Sequence, residues 1–222
     1  RDRLKEVALK HGLTVVCMAK PLAKTPGSSM HIHQSLVEID SGRNVFSAAD
    51  GKPTDLFYQF IAGQQACMAD FTALFAPNVN SYQRLCHPYA SPNNACWSED
   101  NRAAGLRIPA SSPVARRVEN RLPGADANPY LAIAASLAAG LHGIEQGLLP
   151  TPAIQGEFEV PEHLSLPCTL HAAIDRLQRS SLARELFGEE FIAGYIATKT
   201  QELTSFFDEI TPWERRVLAA QA

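Results

Sequence analysis

The order in which strand-like and helix-like segments follow one another constrains the fold of this chain more than any other feature. Most segments with the pattern of strands lie before residue 123, whereas the pattern from Thr169 onward is helical almost to the end. Strands that precede helices, rather than alternating with them, favour an α+β fold with an antiparallel or mixed sheet. The 222 residues, 45% of them hydrophobic, are enough for a substantial core, so the chain is one large domain or part of something larger.

Apolar periodicity, together with capping and breaking residues, sets the bounds of the predicted elements. Thr54 is a suitable N-cap for the second helix, and Gly12 ends the first. The polar stretch 78–94 is predicted to be a long loop, and loops of that length commonly work at a site. Helices are predicted at 4–10, 55–75 and 128–146, the last rich in small residues, and strands at 13–18, 30–38, 95–98, 105–109 and 116–122.

Charge and composition argue against several classes of protein. A net charge of −3 and a pI near 6.2 give no reason to expect a nucleic acid or an anionic membrane as partner. No apolar run is long enough to span a bilayer and no signal peptide is visible. The five cysteines are an odd number, scattered, and lack C-x-x-C spacing, which argues against a disulfide framework and a structural zinc site and leads us to expect a reducing cytoplasm.

Two histidines stand one residue apart in the stretch SSMHIHQSL. In an extended conformation His31, His33 and Ser35 share one face, while the apolar side chains of Met30, Ile32 and Leu36 lie on the other. The polar face carries groups that can bind metal, phosphate or water. An isolated H-x-H pattern is also compatible with ordinary core or surface histidines.

Arginines are concentrated between residues 102 and 121 of a chain that is only 19% charged. In the predicted strand RRVENRL, Arg117, Glu119 and Arg121 line one face. One interpretation of this pattern is a solvent-exposed sheet edge. The other is a binding site in which the carboxylate binds a cation and the guanidinium groups on either side hold anionic oxygens. Arg102 and Arg107 flank Gly105, where a bulge would turn both toward one pocket. Glutamate and histidine ligands are compatible with Mg²⁺ or Mn²⁺.

Three stretches together resemble the C-terminal half of the glutamine synthetase catalytic domain. They are SSMHIHQSL; NSYQRLCHPYASP with NRAAGLRIP; and RRVENRLPGADANPYLAIAASLAAGL. The resemblance implies a glutamine synthetase/guanido kinase-like catalytic domain, present in part over residues 1–222. The family's N-terminal β-grasp domain, and the strands with most of its metal carboxylates, would lie upstream of Arg1. The chain opens inside a predicted helix without methionine, which agrees with that expectation, and we expect the chain alone not to turn over.

The resemblance also implies an activity and a set of site residues. Members of the family use ATP and two divalent cations, Mg²⁺ or Mn²⁺, to join an amine to the γ-carboxylate of glutamate through γ-glutamyl phosphate. They form stacked rings, so a ring-forming homo-oligomer is expected. By position in the motifs, the metal ligands are His31 and Glu119; the nucleotide-binding residues are His33, Ser35, Arg107 and Arg117; the glutamate-binding residues are Arg84 and Arg121; and Arg102 is a catalytic residue aimed at the transferring phosphate.

The identity of the amine depends on a departure from the family's pattern. Many glutamine synthetases carry Y-E-A-P in a loop that closes the site, with a glutamate that helps to deprotonate ammonium. Here the stretch is YASP, and Ala90 stands where that carboxylate would be. Together with ITPWERR near the C-terminus, this resembles the γ-glutamylpolyamine (γ-glutamylputrescine-type) synthetase branch and indicates a polyamine or alkylamine as substrate.

Three alternatives stay open at this point. The chain could come from an ammonia-using glutamine synthetase whose loop has changed, or from a structural member of the family that has lost catalysis. The intact His31, Arg84 and Glu119 argue against the structural role, because a scaffold has no need of them. A phosphagen kinase shares a related fold and ATP chemistry but does not explain NSYQRL and RRVENRL.

Overall fold

A computed structural model describes residues 2–86 and 91–221 of the chain. All four strands lie before residue 123, and the described chain from Thr169 onward is helical almost to its end, as the sequence predicts. The strands are β1 (Ile32–Gln34), β2 (Trp97–Glu99), β3 (Leu106–Ile108) and β4 (Val118–Asn120). The α-helices are α1 (Asp2–Lys10), α2 (Asp55–Met68), α3 (Thr72–Phe75), α4 (Val79–Leu85), α5 (Pro129–Glu145), α6 (Leu170–Arg179), α7 (Ser181–Phe187), α8 (Glu189–Phe207) and α9 (Pro212–Leu218).

The strands form one mixed sheet in the order β1-β4-β3-β2. β4 is antiparallel to both β1 and β3, whereas β2 and β3 are parallel. The register places His33 of β1 and Arg107 of β3 directly opposite Glu119 of β4. Side chains that are directly opposite on paired strands share a face. The predicted mixed sheet is therefore confirmed, and its register alone brings three of the predicted site residues together.

Helices α2 and α5 cover the other face of the sheet. Gln34 of β1 accepts hydrogen bonds from Ser136 of α5 at 2.8 Å and from Gln64 of α2 at 3.2 Å. The two helices approach closely because glycines meet at their crossing: a Cβ on Gly63 would lie 2.6 Å from the backbone nitrogen of Gly143. The small residues of the helix predicted at 128–146 permit this close approach, and the packed layer supports the face that carries the charged residues.

Several helix predictions are confirmed in detail. The Thr54 hydroxyl accepts a hydrogen bond from the backbone nitrogen of Phe57, which caps α2. Thr169 caps α6 in the same way through the nitrogen of Ala172, and the chain is helical from there almost to its end. Among the described residues, no helix has both the length and the hydrophobicity needed to cross a membrane. All five cysteines are free thiols.

The strand predicted at 13–18 is wrong. These residues have irregular backbone, and Leu13, Val16 and Met18 are exposed. A β-branched, apolar segment forms a strand only when a neighbouring strand pairs with it, and 13–18 pairs with no other described segment. The remaining strands are shorter than predicted, most clearly β1, which occupies three residues of the predicted 30–38.

Two further predictions between residues 55 and 94 need correction. The helix predicted at 55–75 is broken into α2 and α3, and the Thr72 hydroxyl donates to the carbonyl of Met68 at the break. Such side-chain bonds to the backbone compete with the helical ladder. The loop predicted at 78–94 contains α4. Its polar residues suggested a loop, yet Ser81 and Arg84 are buried because distant residues satisfy them.

Candidate active site

Glu119 lies at the centre of a charged cluster on the open face of the sheet. It is only 2% exposed. Arg107 Nη1 donates to its Oε2 at 2.6 Å, and Arg121 Nη1 donates to its Oε1 at 2.7 Å. His31 Nδ1 lies 2.9 Å from the same Oε1. A buried carboxylate is tolerated when it is paired and hydrogen-bonded. Glu119 has such partners on β3, just before β1, and just after its own strand β4.

The environment favours an ionised glutamate beside a neutral histidine. Burial acts to raise the pKa of Glu119, but the hydrogen bond from Arg107 and the positive charges of Arg121 and Arg107 outweigh it, so the pKa is lowered. Burial, assisted by the charge of Arg121, lowers the pKa of His31 to about 4 despite the opposing carboxylate. Near neutral pH the pair thus offers a carboxylate and an uncharged imidazole, the forms that bind divalent metals.

His33 and Arg117 lie at the outer side of the cluster. The Nε of Arg117 donates to His33 Nδ1 at 3.2 Å, and His33 Nε2 is 3.9 Å from Glu119 Oε1. His33 is therefore farther from the carboxylate than His31 is, and its side chain is 42% exposed. Ser35 is exposed as well, and its hydroxyl makes no hydrogen bond to another described residue.

Arg84 approaches the cluster from α4. It is 2% exposed, its Nη2 donates to the carbonyl of Leu122, and its Nη1 is 3.4 Å from the Ser91 hydroxyl. A Cβ on Gly27 would lie 2.7 Å from Arg84 Cγ, so the absence of a side chain there makes room for the arginine. Burial lowers the pKa of Arg84 to about 10, which still leaves the guanidinium charged near neutral pH.

Three buried arginine nitrogens point to a ligand with acceptor oxygens. The Nε atoms of Arg84, Arg107 and Arg121 are buried and have no hydrogen-bond partner among the described residues. A buried donor left unpaired costs about 1–3 kcal/mol. An anionic oxygen in the site would satisfy such donors with charge-assisted hydrogen bonds. The guanidiniums of Arg84, Arg107, Arg117 and Arg121 also outnumber the neighbouring carboxylates of Asp100, Glu119 and Asp126, which favours an anion.

The described residues supply only part of a metal site. No group of three or more histidine, cysteine, aspartate or glutamate side chains within 2–86 and 91–221 could hold a metal ion. His31 and Glu119 are suitable donors for Mg²⁺ or Mn²⁺, but a complete coordination sphere needs more ligands. Their chemistry fits a divalent cation as two members of a larger ligand set.

The predicted catalytic residue Arg102 is not brought into the cluster. Arg102 lies in the turn between β2 and β3, is exposed, and makes no hydrogen bond or ion pair with another described residue. The predicted bulge at Gly105 does not turn it toward the pocket of Arg107, since β3 pairs regularly with β4 beyond that glycine. Ala90 and the rest of 87–90 lie outside the described residues.

Arg116, the first arginine before β4, makes its contacts outside the Glu119 cluster. Its side chain donates to Ser47 Oγ at 2.6 Å and to the carbonyl of Gly51 at 3.0 Å, and its guanidinium lies over the ring of Phe57. Arg116 thus anchors the loop between β1 and α2.

Sequence reasoning missed three residues that hold the site together. Asp100 accepts a hydrogen bond from Arg107 Nη2; its position in a turn gave no signal. The Ser29 hydroxyl lies 2.9 Å from His31 Nε2, and the strand alternation that paired His31 with His33 also pointed to it. Asp126 bonds to Asn78 and Ser81, a contact that no local pattern shows.

Comparison with known proteins decides the family. The family model described as "Glutamine synthetase, catalytic domain" matches residues 1–218. The chain belongs to the glutamine synthetase family. A solved structure described as "Apo GmaS without ligand" has a TM-score of 0.83 and 34% identity, and the match covers 96% of this chain and 50% of that chain. The fold is that of the glutamine synthetase catalytic domain.

Curated members of the family include both amine ligases and glutamine synthetases. Glutamate–isopropylamine ligase from Pseudomonas sp. is 39% identical over 219 residues, which cover 96% of this chain and 48% of the relative. γ-Glutamylputrescine synthetase PuuA from Escherichia coli (strain K12) is 38% identical over 208 residues, covering 94% of this chain and 44% of the relative. Proteins named glutamine synthetase also match. The chain spans about half the length of the curated relatives it matches.

Proposed function

We propose that the full-length protein is an ATP-dependent ligase that joins the γ-carboxylate of glutamate to an amine through γ-glutamyl phosphate. The observation that carries this proposal is the contact of a neutral histidine and an ionised glutamate, beside buried arginine donors that lack acceptors. Half of a typical relative lies outside this chain. We therefore assign the β-grasp domain and the other metal ligands to that half, and the chain alone is inactive.

The reaction explains why these residue types are needed. A carboxylate is a poor acyl donor until one of its oxygens becomes a good leaving group, which transfer of a phosphoryl group from ATP achieves. Divalent cations, when bound, neutralise charge on the phosphates. His31 and Glu119 would hold one such cation together with ligands from outside this chain. Each carboxylate oxygen of Glu119 has more than one lone pair, so it can bind a cation and keep an arginine.

The arginines hold the anionic substrates. Arg84 and Arg121 bind the carboxylate groups of glutamate, because a planar guanidinium matches a carboxylate with two parallel hydrogen bonds. Arg107 and Arg117 bind nucleotide phosphates, with His33 and Ser35 beside the nucleotide. Arg102 is the catalytic residue for the transferring phosphate, and its exposed side chain must turn toward the cluster to reach it. These roles rest on the position of each residue in the family's motifs.

The amine is proposed to be a polyamine or alkylamine. Ala90 places a methyl group where many glutamine synthetases carry a carboxylate, which removes an attraction for a small cation. A longer amine compensates by burying methylenes, at about 0.8 kcal/mol each. Relatives named for isopropylamine and putrescine support this choice, whereas relatives named glutamine synthetase favour ammonia as the alternative. A cytoplasmic, ring-forming homo-oligomer is part of the same proposal.

The test is an amine panel with the full-length protein. Phosphate release and the mass of the γ-glutamyl product are measured with glutamate, ATP and Mg²⁺ and with putrescine, isopropylamine or ammonia. We expect kcat/KM to be higher for putrescine or isopropylamine than for ammonia, and Ala90→Glu to shift the preference toward ammonia. If ammonia is the best amine and Ala90→Glu changes nothing, the protein is a glutamine synthetase. If no amine yields a γ-glutamyl product, the structural role takes the place of both.

A further inference from the structure

The helix that carries Arg84 is short and lies outside the sheet. α4 has seven residues, Val79–Leu85, so its own hydrogen bonds do little to fix it. Asn80 ties its first turn to the backbone of Lys20 through hydrogen bonds of 2.8 and 3.0 Å. The remaining side-chain contacts of its first turn lead to a single residue of the loop that follows β4.

That residue is Asp126. One of its carboxylate oxygens, Oδ2, accepts hydrogen bonds from Asn78 Nδ2 at 2.9 Å and from Ser81 Oγ at 2.6 Å. The Ser81 hydroxyl also accepts from the backbone nitrogen of Asn78 at 3.0 Å. Ser81 is fully buried, and a charged acceptor roughly doubles the strength of a hydrogen bond. Asp126 therefore holds the N-terminal turn of α4 in place.

The loop that carries Asp126 is itself fixed by backbone hydrogen bonds. The Pro123 carbonyl accepts from Met30, Gly124 donates to Phe75, and Ala125 donates to Ser28, at 2.9, 3.1 and 3.0 Å. The carboxylate also folds back against its own loop, since a Cβ on Gly124 would lie 2.2 Å from Asp126 Oδ1. Asp126 thus lies in a hydrogen-bonded loop that follows β4, the strand that carries Glu119.

The same loop also reaches the other end of α4. The Leu122 carbonyl accepts a hydrogen bond from Arg84 Nη2, so the two ends of the helix are tied to Asp126 and Leu122. The negative charge of Asp126 also counteracts burial and the repulsion from Arg121, both of which lower the pKa of Arg84. Geometry and charge agree that Asp126 supports the position and the charge of Arg84.

We infer that Asp126 is the positioning residue for Arg84, and that it sets the affinity of the site for the carboxylate of glutamate. This inference rests on the proposed function. Asp126 acts through Asn78 and Ser81, which fix the helix, and through its charge. Its effect is expected on glutamate, which Arg84 binds, and not on ATP, which the residues of the sheet bind.

The test uses the full-length protein with Asp126→Ala, Asp126→Asn and Ser81→Ala. Asp175→Ala is the matched control, because it removes a half-exposed carboxylate from an ion pair within α6. KM for glutamate and for ATP is measured by phosphate release, and glutamate binding is measured by calorimetry. We expect Asp126→Ala to weaken glutamate binding about tenfold, which corresponds to about 1.4 kcal/mol. KM for ATP should stay within about twofold of wild type, as should every constant in the control.

The other two variants are expected to weaken glutamate binding less than Asp126→Ala does. Asp126→Asn keeps an acceptor oxygen and loses only the charge, and Ser81→Ala loses one of the two hydrogen bonds. Either variant can replace Asp126→Ala if that protein does not fold. Unchanged glutamate binding, or equal increases in KM for glutamate and ATP, would overturn the inference.

The outcomes also separate this inference from the proposed function. A wild-type protein that turns over while Asp126→Ala binds glutamate normally contradicts the inference alone. A wild-type protein that binds glutamate without ligating any amine contradicts the proposed function alone, and the calorimetry still tests Asp126. A wild-type protein that binds no glutamate contradicts both.

Discussion

The Glu119 cluster and the Arg84 helix carry different parts of the proposed site and are held in different ways. Glu119, His33 and Arg107 lie on paired strands, and the register of the sheet sets their spacing. Arg84 lies on a short helix whose position depends on side-chain hydrogen bonds to a loop. A strand cannot shift by one residue without turning its buried side chains to the other face, whereas a tethered helix can move when one tether is lost.

This difference separates two kinds of ligand. The sheet holds the groups proposed to bind metal and nucleotide, together with Arg121, one of the two arginines proposed to bind glutamate. Helix α4 holds the other, Arg84. Substitutions in the sheet cluster should therefore change metal dependence and stability together. Substitutions around α4 should change glutamate affinity selectively. Each prediction below tests that separation.

The largest effect is expected for Glu119→Ala. Removal of the carboxylate leaves His31, Arg107 and Arg121 without their shared partner, and removal of one partner from a buried ion pair typically costs about 3–5 kcal/mol of stability. The Mg²⁺ concentration needed for phosphate release by the full-length protein should also rise strongly. Chemical denaturation and Mg²⁺ titration measure the two effects. Glu99→Ala is the control, since Glu99 is an exposed carboxylate on β2 of the same sheet. A variant that matches this control would remove Glu119 from the metal site.

A smaller and more selective effect is expected for Arg84→Lys. Lysine keeps the charge but loses the planar fork that binds a carboxylate bidentately. KM for glutamate should rise by roughly 10-fold to 100-fold, the range for a lost charge-assisted hydrogen bond worth about 1.5–3 kcal/mol. The Mg²⁺ requirement should stay that of wild type. Steady-state kinetics with each substrate varied in turn would measure this. Equal changes in glutamate and Mg²⁺ dependence would mean that the two regions are not separate.

The smallest effect on function is expected for Gly63→Ala, on the covered side of the sheet. A Cβ there would lie 2.1 Å from the Ala139 carbonyl, so α2 and α5 must move apart, at a typical cost of about 1–3 kcal/mol for overpacking. Thermal unfolding should show the loss, while KM for glutamate and the Mg²⁺ requirement stay unchanged. Gly194→Ala in α8 is the control, because nothing lies within 4 Å of the added Cβ. A change in either functional constant without a change in stability would contradict this account of the covered face.

The Glu119 cluster was easier to predict from the sequence than helix α4, because the patterns that indicate the cluster are local. Alternation along a strand places His31 beside His33, and Arg117, Glu119 and Arg121 on one face, without knowledge of the rest of the chain. The structure adds the register of the sheet, which places His33 of β1 and Arg107 of β3 opposite Glu119. The functional roles of these residues, and those of Ser35 and Arg102, stay predictions from the family's motifs.

The helix could not be predicted in the same way because its partners are distant. Ser81 and Asp126 are 45 residues apart, and the polar residues of 78–86 favour a loop unless that contact is known. The strand predicted at 13–18 failed for the opposite reason: its composition suits a strand, but no described strand pairs with it. In both segments the secondary structure depends on whether a partner distant in sequence is present.

The most direct test of the separation between the Glu119 cluster and the Arg84 helix is the binding of Mn²⁺ to the full-length protein, measured by electron paramagnetic resonance in the absence of substrates. We expect Glu119→Ala to weaken Mn²⁺ binding by roughly tenfold or more, the lower end of the loss when a metal site is disturbed. Arg84→Lys and Asp126→Ala should bind Mn²⁺ as wild type does. If Glu119→Ala binds Mn²⁺ with wild-type affinity, or if Arg84→Lys weakens binding to the same extent, the separation between the metal site on the sheet and the glutamate-binding Arg84 on α4 is wrong.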